Sequence, residues 1–83
     1  MLFHWDEENQ AHITRHGVSE AQAEAAFQAE DAAVFQDVTR LNRWVLEATV
    51  EDRMLKVAFA RVFPEGFRVI TAHRMSSKRR RTP

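Results

Sequence analysis

The opening of the chain has the pattern of a short amphipathic helix that follows a brief apolar segment. Residues 2–5 are apolar enough for a short edge strand. Asp6 is suited to be an N-cap, and the two acids after it favour the positive end of a helix dipole. Gly17 supplies the left-handed residue that commonly ends a helix. We therefore expect a first helix from Asp6 to about Arg15 or His16.

A second helix is expected directly after Gly17. Ser19 and Gln22 have the spacing of a capping box, and the residues that follow are rich in alanine, the strongest helix former. Phe27 is expected to be the main core anchor of this helix, with Val18 and Ala23 on a similar face.

After residue 31 the hydrophobic period changes from helical to two, which is typical of half-buried strands. Two turns divide this part of the chain, a tight one at 51–53 and one at 64–66 that contains proline and glycine. The expected strands are 33–35 (short), 43–50, 54–63 and 67–73.

This order of elements predicts an α+β fold. Two N-terminal helices pack on one face of a three- to four-stranded antiparallel sheet, and a short basic C-terminal segment follows. The 83 residues are expected to form a single domain, 1–83. The second face of the sheet is then left open, and an open face on so small a domain favours a binding role.

The composition argues against several classes of protein, namely disulfide-bonded, membrane-spanning and secreted ones. The chain has no cysteine, which excludes disulfides and thiolate metal sites and fits a reducing cytoplasm. No apolar run approaches the roughly 20 residues that span a bilayer, and the opening is too short and acidic for a secretory signal. A cytoplasmic protein without membrane contact is expected.

Charge is divided unequally along the chain. The first 42 residues carry eight acids and two bases, whereas the remaining 41 carry ten bases and four acids. Such asymmetry suits a domain with one face for phosphates. The basic run Lys78-Arg79-Arg80-Arg81 is either a solvated tail that aids solubility or a segment that attracts RNA or an acidic protein.

Two strands carry basic residues that could bind phosphate. Strict alternation on the last strand places Arg68, Ile70, Ala72 and Arg74 on one face and Phe67, Val69, Thr71 and His73 on the other. Arg61 interrupts the apolar row of the preceding strand, so it either emerges into solvent at the strand end or lines a site. Arginine suits phosphate because its planar fork donates two hydrogen bonds and stays charged.

The histidines offer two different chemistries. His73 closes the last strand beside Arg74, where an imidazole could transfer a proton during phosphodiester cleavage. His12 and His16 share one helical face at a spacing that can bind a metal, but no third ligand stands at a convincing spacing. Packing against the sheet, with His16 at the helix end, is the favoured interpretation for that pair.

Two motifs resemble a known family. The opening FHWDEENQAHITRHGV (residues 3–18) is similar to the start of the BrnT-type toxins of bacterial type II toxin–antitoxin systems, and FRVITAHRMS (residues 67–76), before a basic run, is similar to their last strand. Each motif is moderately specific, and both stand at the corresponding ends of the chain. The resemblance spans nearly the whole sequence.

The resemblance implies a RelE-like fold and an endoribonuclease that inhibits translation by cutting RNA without a metal or other cofactor. It also implies a BrnA-like antitoxin that neutralises the toxin and connects it to DNA only indirectly. By position, Arg61 and Arg68 would bind phosphate. His73 departs from the arginine usual in the family, and Arg74 follows it. The chain also stops before the end of the family's usual terminal helix.

Three functions remain open at this level. The leading hypothesis is a ribonuclease toxin with Arg61, Arg68, His73 and Arg74 on one reactive surface and the tail Lys78–Arg81 binding RNA. The alternatives are a non-catalytic module that docks an antitoxin or another acidic protein, and an RNA-binding domain without cleavage. An antitoxin would cover the basic face with an acidic or hydrophobic segment that orders on binding.

Overall fold

Two helices precede a four-stranded antiparallel sheet in the computed structural model, which describes residues 1–75. The elements are α1 Glu7–Arg15, α2 Glu20–Gln28, β1 Ala33–Gln36, β2 Trp44–Val50, β3 Arg53–Arg61 and β4 Phe67–Arg74. The sheet order β1-β2-β3-β4 is that of a meander. The predicted α+β fold is confirmed, whereas the basic C-terminal segment lies outside the described residues. Neither of these two helices is long and apolar enough to cross a membrane.

Both predicted helix starts are confirmed by reciprocal capping. The Asp6 carboxylate accepts a hydrogen bond from the Asn9 amide at 3.1 Å, and the Asn9 side chain accepts one from the Asp6 amide at 2.8 Å. Ser19 and Gln22 make the same exchange, with both distances 3.0 Å. Gly17 follows α1 with φ at +76°, as a left-handed helix stop requires.

The expected tight turn between β2 and β3 is also confirmed, and it fixes the register of the hairpin. Glu51 and Asp52 both have positive φ, 53° and 66°, which is the twist that suits a two-residue hairpin loop. Val50 therefore pairs with Arg53. The far end of β3 differs from expectation, because the strand stops at Arg61. Phe63 lies outside it and is 74% exposed.

A β-bulge in the last strand overturns the alternation expected there. Val69 pairs with Phe59 and Thr71 pairs with Ala58, so Ile70 has no partner on β3. One extra residue reverses the faces of everything that follows it. Both Val69 and Ala72 are consequently buried, although they are three residues apart.

The helices cover only one face of the sheet. Helix α2 packs on β2 and β3, and α1 lies against β4. The rings of Phe3, Phe59 and Phe67 surround the ring of Phe27, with centroids 4.9 to 5.4 Å from it, which confirms Phe27 as an anchor of the second helix. Within residues 1–75 the buried apolar residues are Ile13, Val18, Ala23, Ala26, Leu46, Ala48, Val50, Leu55, Val57, Phe59, Val69 and Ala72.

One buried polar side chain joins α1 to the sheet. Asn9 is 2% exposed, and its amide nitrogen donates to the carbonyls of His4 and Val69, both at 3.1 Å. Its oxygen completes the Asp6 cap. A buried amide in an apolar layer is stable only when its hydrogen bonds are made. Asn9 therefore fixes the position of α1 along β4.

Replacing Asn9 with alanine is expected to lower the free energy of unfolding by about 2 kcal/mol, since the Val69 carbonyl would lose its donor in a buried position. Urea unfolding followed by circular dichroism measures this change. The neighbouring Gln10→Ala is the matched control and should shift stability by less than about 0.5 kcal/mol. Equal losses in the two variants would contradict the assigned role of Asn9.

Candidate functional site

The four candidate residues do not form one surface. Arg74 pairs with the buried Leu55, and Arg61 pairs with Phe67, so both belong to the face on which the helices pack. His73 pairs with Lys56 on the opposite face.

Arg68 pairs with Ala60 and therefore shares the face of His73. We call this face the open face; α2 does not pack on it, and α1 reaches it only along β4, through Glu8 and the cap residues Asp6 and His16. The expectation that Arg68 and Arg74 lie together is wrong because the bulge at Ile70 intervenes. The same bulge is the reason that His73 joins Arg68.

Arg68 is held in an exposed ion pair at the start of α1. Its guanidinium lies 2.8 Å from one carboxylate oxygen of Asp6 and 3.3 Å from the other, and Glu8 is 3.7 Å away. The hydrogen bond from Arg68, and next that from the Asn9 amide, lowers the pKa of Asp6. The same carboxylate raises the pKa of Arg68. Such a solvent-exposed pair contributes little to stability, so the guanidinium can exchange Asp6 for another anion.

His73 is half-buried and surrounded by basic groups. Burial above all, and then the positive charges of His16 and Lys56, lower the pKa of His73 from its ordinary value of 6.5. The imidazole is therefore neutral at pH 7, with a ring nitrogen able to accept a proton. This is the property that a general base requires.

Arg74 points away from His73, towards the loop between the helices. Its guanidinium donates a long hydrogen bond of 3.4 Å to the Gly17 carbonyl. A Cβ on residue 17 would stand 2.6 Å from that guanidinium, which is the end of a flexible side chain and can move aside, so glycine is required there for its positive φ rather than for space. Arg74 thus connects the end of β4 to the loop that follows α1.

Arg61 borders an apolar groove on the helix-packed face. The groove has a volume of about 370 Å³, and it is lined by Phe27, Ala32, Val34, Trp44, Leu46, Phe59, Arg61 and Phe67. The Arg61 guanidinium lies 5.8 Å from the Phe63 ring centroid. The Asn42 side chain donates a hydrogen bond to the Arg61 carbonyl at 2.8 Å and accepts one from the Arg61 amide at 2.9 Å. Arg61 is exposed at the end of β3, as the first sequence-based alternative expects, and it also borders this groove.

Trp44 adds an unpaired donor to this groove. Its indole nitrogen is buried and has no hydrogen-bond partner within residues 1–75. A buried indole N–H without an acceptor is unfavourable, so a ligand that brings an acceptor would gain from meeting it. The sequence pattern placed Trp44 on the core face but gave no sign that its nitrogen is unpaired.

Three histidine rings converge where α1 ends beside β4. The ring centroids of His12 and His16 are 5.4 Å apart, and those of His16 and His73 are 6.0 Å apart. Among residues 1–75 no three His, Cys, Asp or Glu side chains stand close enough to hold a metal ion. The spacing of His12 and His16 was evident from the sequence, but the approach of His73 was not, because it depends on the bulge. The tail candidates Lys78, Arg79, Arg80 and Arg81 lie beyond the described part of the chain.

Comparison with known proteins identifies one family. The family model described as the ribonuclease toxin, BrnT, of type II toxin–antitoxin systems matches residues 5–79 of this 83-residue chain. The match includes α1, α2, all four strands and part of the basic tail. A search of curated proteins found no match.

The lowered pKa of His73 predicts a pH-dependent stability. The unfolded chain binds a proton on His73 at a higher pH than the folded protein does. The contribution of neutral His73 to the free energy of unfolding is therefore complete above about pH 6.5. It is lost as the pH falls through the folded pKa. The unfolding free energy of the wild type relative to His73→Gln should therefore decrease from about pH 7.5 to about pH 5. Urea titrations at several pH values measure it. Thr71→Ala, a non-titrating change on the same face, should show no such trend, and a constant difference for His73→Gln would refute the prediction.

Proposed function

Because the chain belongs to the BrnT family of ribonuclease toxins of type II toxin–antitoxin systems, we propose that it is an active, metal-independent endoribonuclease. It slows translation by cutting RNA in the cytoplasm, and a BrnA-like antitoxin neutralises it. That antitoxin provides any connection to DNA. Family membership implies the antitoxin partner and the RNA target in general terms, and the site geometry supports the finer steps below.

The observation that carries the proposal is a neutral imidazole beside a cation on the open face. His73, with its lowered pKa, accepts the proton of a ribose 2′-hydroxyl, which then attacks the adjacent phosphorus. Lys56 stands directly across the sheet from His73, where its charge stabilises the negative charge that develops on the phosphate oxygens. The chain's own side chains supply the base and the electrostatic stabilisation.

Arg68 binds a neighbouring phosphate rather than the reacting one. Its partner Ala60 and the His73 partner Lys56 are four residues apart on β3, about 13 Å at the rise of a strand. An RNA strand lying across the open face would meet the two positions with successive phosphates. Arg68 leaves Asp6 for that phosphate and so positions the strand.

The other two arginines support the function indirectly. Arg74 holds the loop after α1 through the Gly17 carbonyl and so acts as a positioning residue for the end of that helix. Arg61, on the far side of the sheet, belongs to the surface that receives the antitoxin. The tail Lys78–Arg81 adds nonspecific attraction for RNA.

The antitoxin docks in the apolar groove and continues round the free edge of β1. All four residues of β1 are exposed, with Val34 at 53% and Phe35 at 52%. Val34 lines the groove, whereas its neighbour Phe35 points to the open face. A hydrophobic segment with a carboxylate for Arg61 and an acceptor for the Trp44 nitrogen would satisfy the groove and reach the RNA face along this edge.

Induced expression without an antitoxin tests the activity. The wild type should arrest growth and degrade RNA, while His73→Ala and Arg68→Ala should each reduce cleavage by about 100-fold or more, since one loses the base and the other a phosphate contact. Growth curves and total RNA over time measure both effects. Arg40→Ala, an exposed arginine in the β1–β2 connection, is the matched control and should remain toxic.

Circular dichroism must show that every variant is folded before the comparison is made. Normal growth with folded, well-expressed wild type would reject the ribonuclease and leave the binding-module function. Full toxicity of His73→Ala would reject this residue as the base.

Val34→Asp should weaken antitoxin binding by about tenfold or more, because it places a charge in the apolar groove. Val34 is already half exposed, so the fold should tolerate the change. Isothermal calorimetry with the purified cognate antitoxin measures the affinity. Val38→Asp, in the β1–β2 connection and 88% exposed, is the matched control. Equal affinities for the two variants would exclude the groove as the docking site.

A further inference from the structure

The histidine cluster at the end of α1 extends the site beyond the residues assigned above. We propose that His16, His73 and Lys56 bind the scissile phosphate, and that the two imidazoles divide the two proton transfers of RNA cleavage between them. This proposal deepens the ribonuclease function and rests on it. It adds a second proton-transfer residue that comes from a helix rather than from the sheet.

The two rings are close enough for one phosphate to bridge them. His16 is the C-cap of α1, and its ring centroid lies 6.0 Å from that of His73, with the planes tilted by 56°. The rings are too far apart for stacked contact. Two hydrogen bonds of about 2.8 Å, one from each ring to phosphate oxygens, can span such a gap. Lys56 on β3 is the cross-strand partner of His73 and borders the site on that side.

The charge around the site favours an anion. Within residues 1–75 the ion pairs are those of Arg68 with Asp6 and Glu8, so neither His16, His73 nor Lys56 has a carboxylate partner there.

The groups that face His73 are His16 from α1, with His12 behind it, and Lys56 from β3. Glu47 follows on β2, on the far side of Lys56. Basic groups therefore stand nearer to His73 than the single acid of that row. A phosphate would relieve their mutual repulsion.

The roles of the two rings follow from their exposure. His73 is half-buried and neutral, so it takes the proton from the 2′-hydroxyl as that oxygen forms its bond to phosphorus. His16 is exposed at the helix end, and its imidazolium gives a proton to the 5′-oxygen as the bond from phosphorus to that oxygen breaks. The products are a 2′,3′-cyclic phosphate and a free 5′-hydroxyl. After the reaction His73 carries the extra proton and His16 lacks one, and proton exchange with solvent returns both rings to their starting states.

Binding can be tested without cleavage by a short single-stranded DNA oligonucleotide, which lacks the 2′-hydroxyl. NMR titration of the histidine ring signals in the full chain gives both affinity and the pKa of His73. Bound phosphate should raise the pKa of His73, and His16→Ala and Lys56→Ala should each weaken binding by about tenfold. His4→Ala and Arg40→Ala are the matched histidine and charge controls and should bind as the wild type does.

The second readout is the pH dependence of RNA cleavage. The wild type should give a bell-shaped profile, and His16→Ala should lose the limb at higher pH, where the acid becomes deprotonated. An unchanged profile in His16→Ala, or a pKa of His73 that the oligonucleotide does not move, overturns the proposal. If the oligonucleotide binds at the cluster as expected but the wild type cuts no RNA, the phosphate site stands, whereas the division of proton transfers and the ribonuclease function both fail.

Discussion

The hydrogen bonds of the buried Asn9 side chain fix where α1 stands on the sheet, and with it the residues at both ends of that helix. They tie the first turn of α1 to the carbonyl of Val69 in the middle of β4 and, through His4, to the segment that pairs with the edge of that strand. A helix held at its first turn has a defined end, and α1 is nine residues long. Its last cap residue, His16, is thereby delivered beside His73. The approach of the two histidine rings is thus a consequence of a polar contact at the opposite end of the helix.

Local rules accounted for much of the fold, since they act on neighbouring residues. The caps at Asp6 and Ser19 and the tight turn at Glu51 were all readable from short-range chemistry, and the core rows of β2 and β3 followed from a period of two. The bulge in β4 was not readable, because it depends on how two strands pair over a distance and no glycine marks it. That single irregularity changed which of two adjacent residues, His73 or Arg74, shares a face with Arg68. Most of the candidate residues could be named from the sequence, but not their grouping.

The two faces of the sheet divide the chemistry of the protein. The open face carries Arg68, His73 and Lys56, while the helix-packed face carries the apolar groove with Arg61 at its border. An inhibitor that binds the groove alone would leave the open face accessible. The short and wholly exposed β1 joins the two surfaces, since consecutive residues on a strand point to opposite faces. If the antitoxin docks in the groove as proposed, it must also wrap round this edge to cover the open face, and charge complementarity alone would not explain the neutralisation.

Under the proposed function, the ion pair between Asp6 and Arg68 would let RNA bind without disturbing the fold. Asp6 has two tasks, because it caps α1 through the Asn9 amide and holds the Arg68 guanidinium. The guanidinium side chain is 30% exposed and the carboxylate 53%, so their attraction is screened by water. When a phosphate takes Arg68, the capping hydrogen bond remains, and with it the position of α1. The acid keeps the unliganded arginine ordered on the open face, and the weakness of their contact is what leaves that arginine free to serve a substrate.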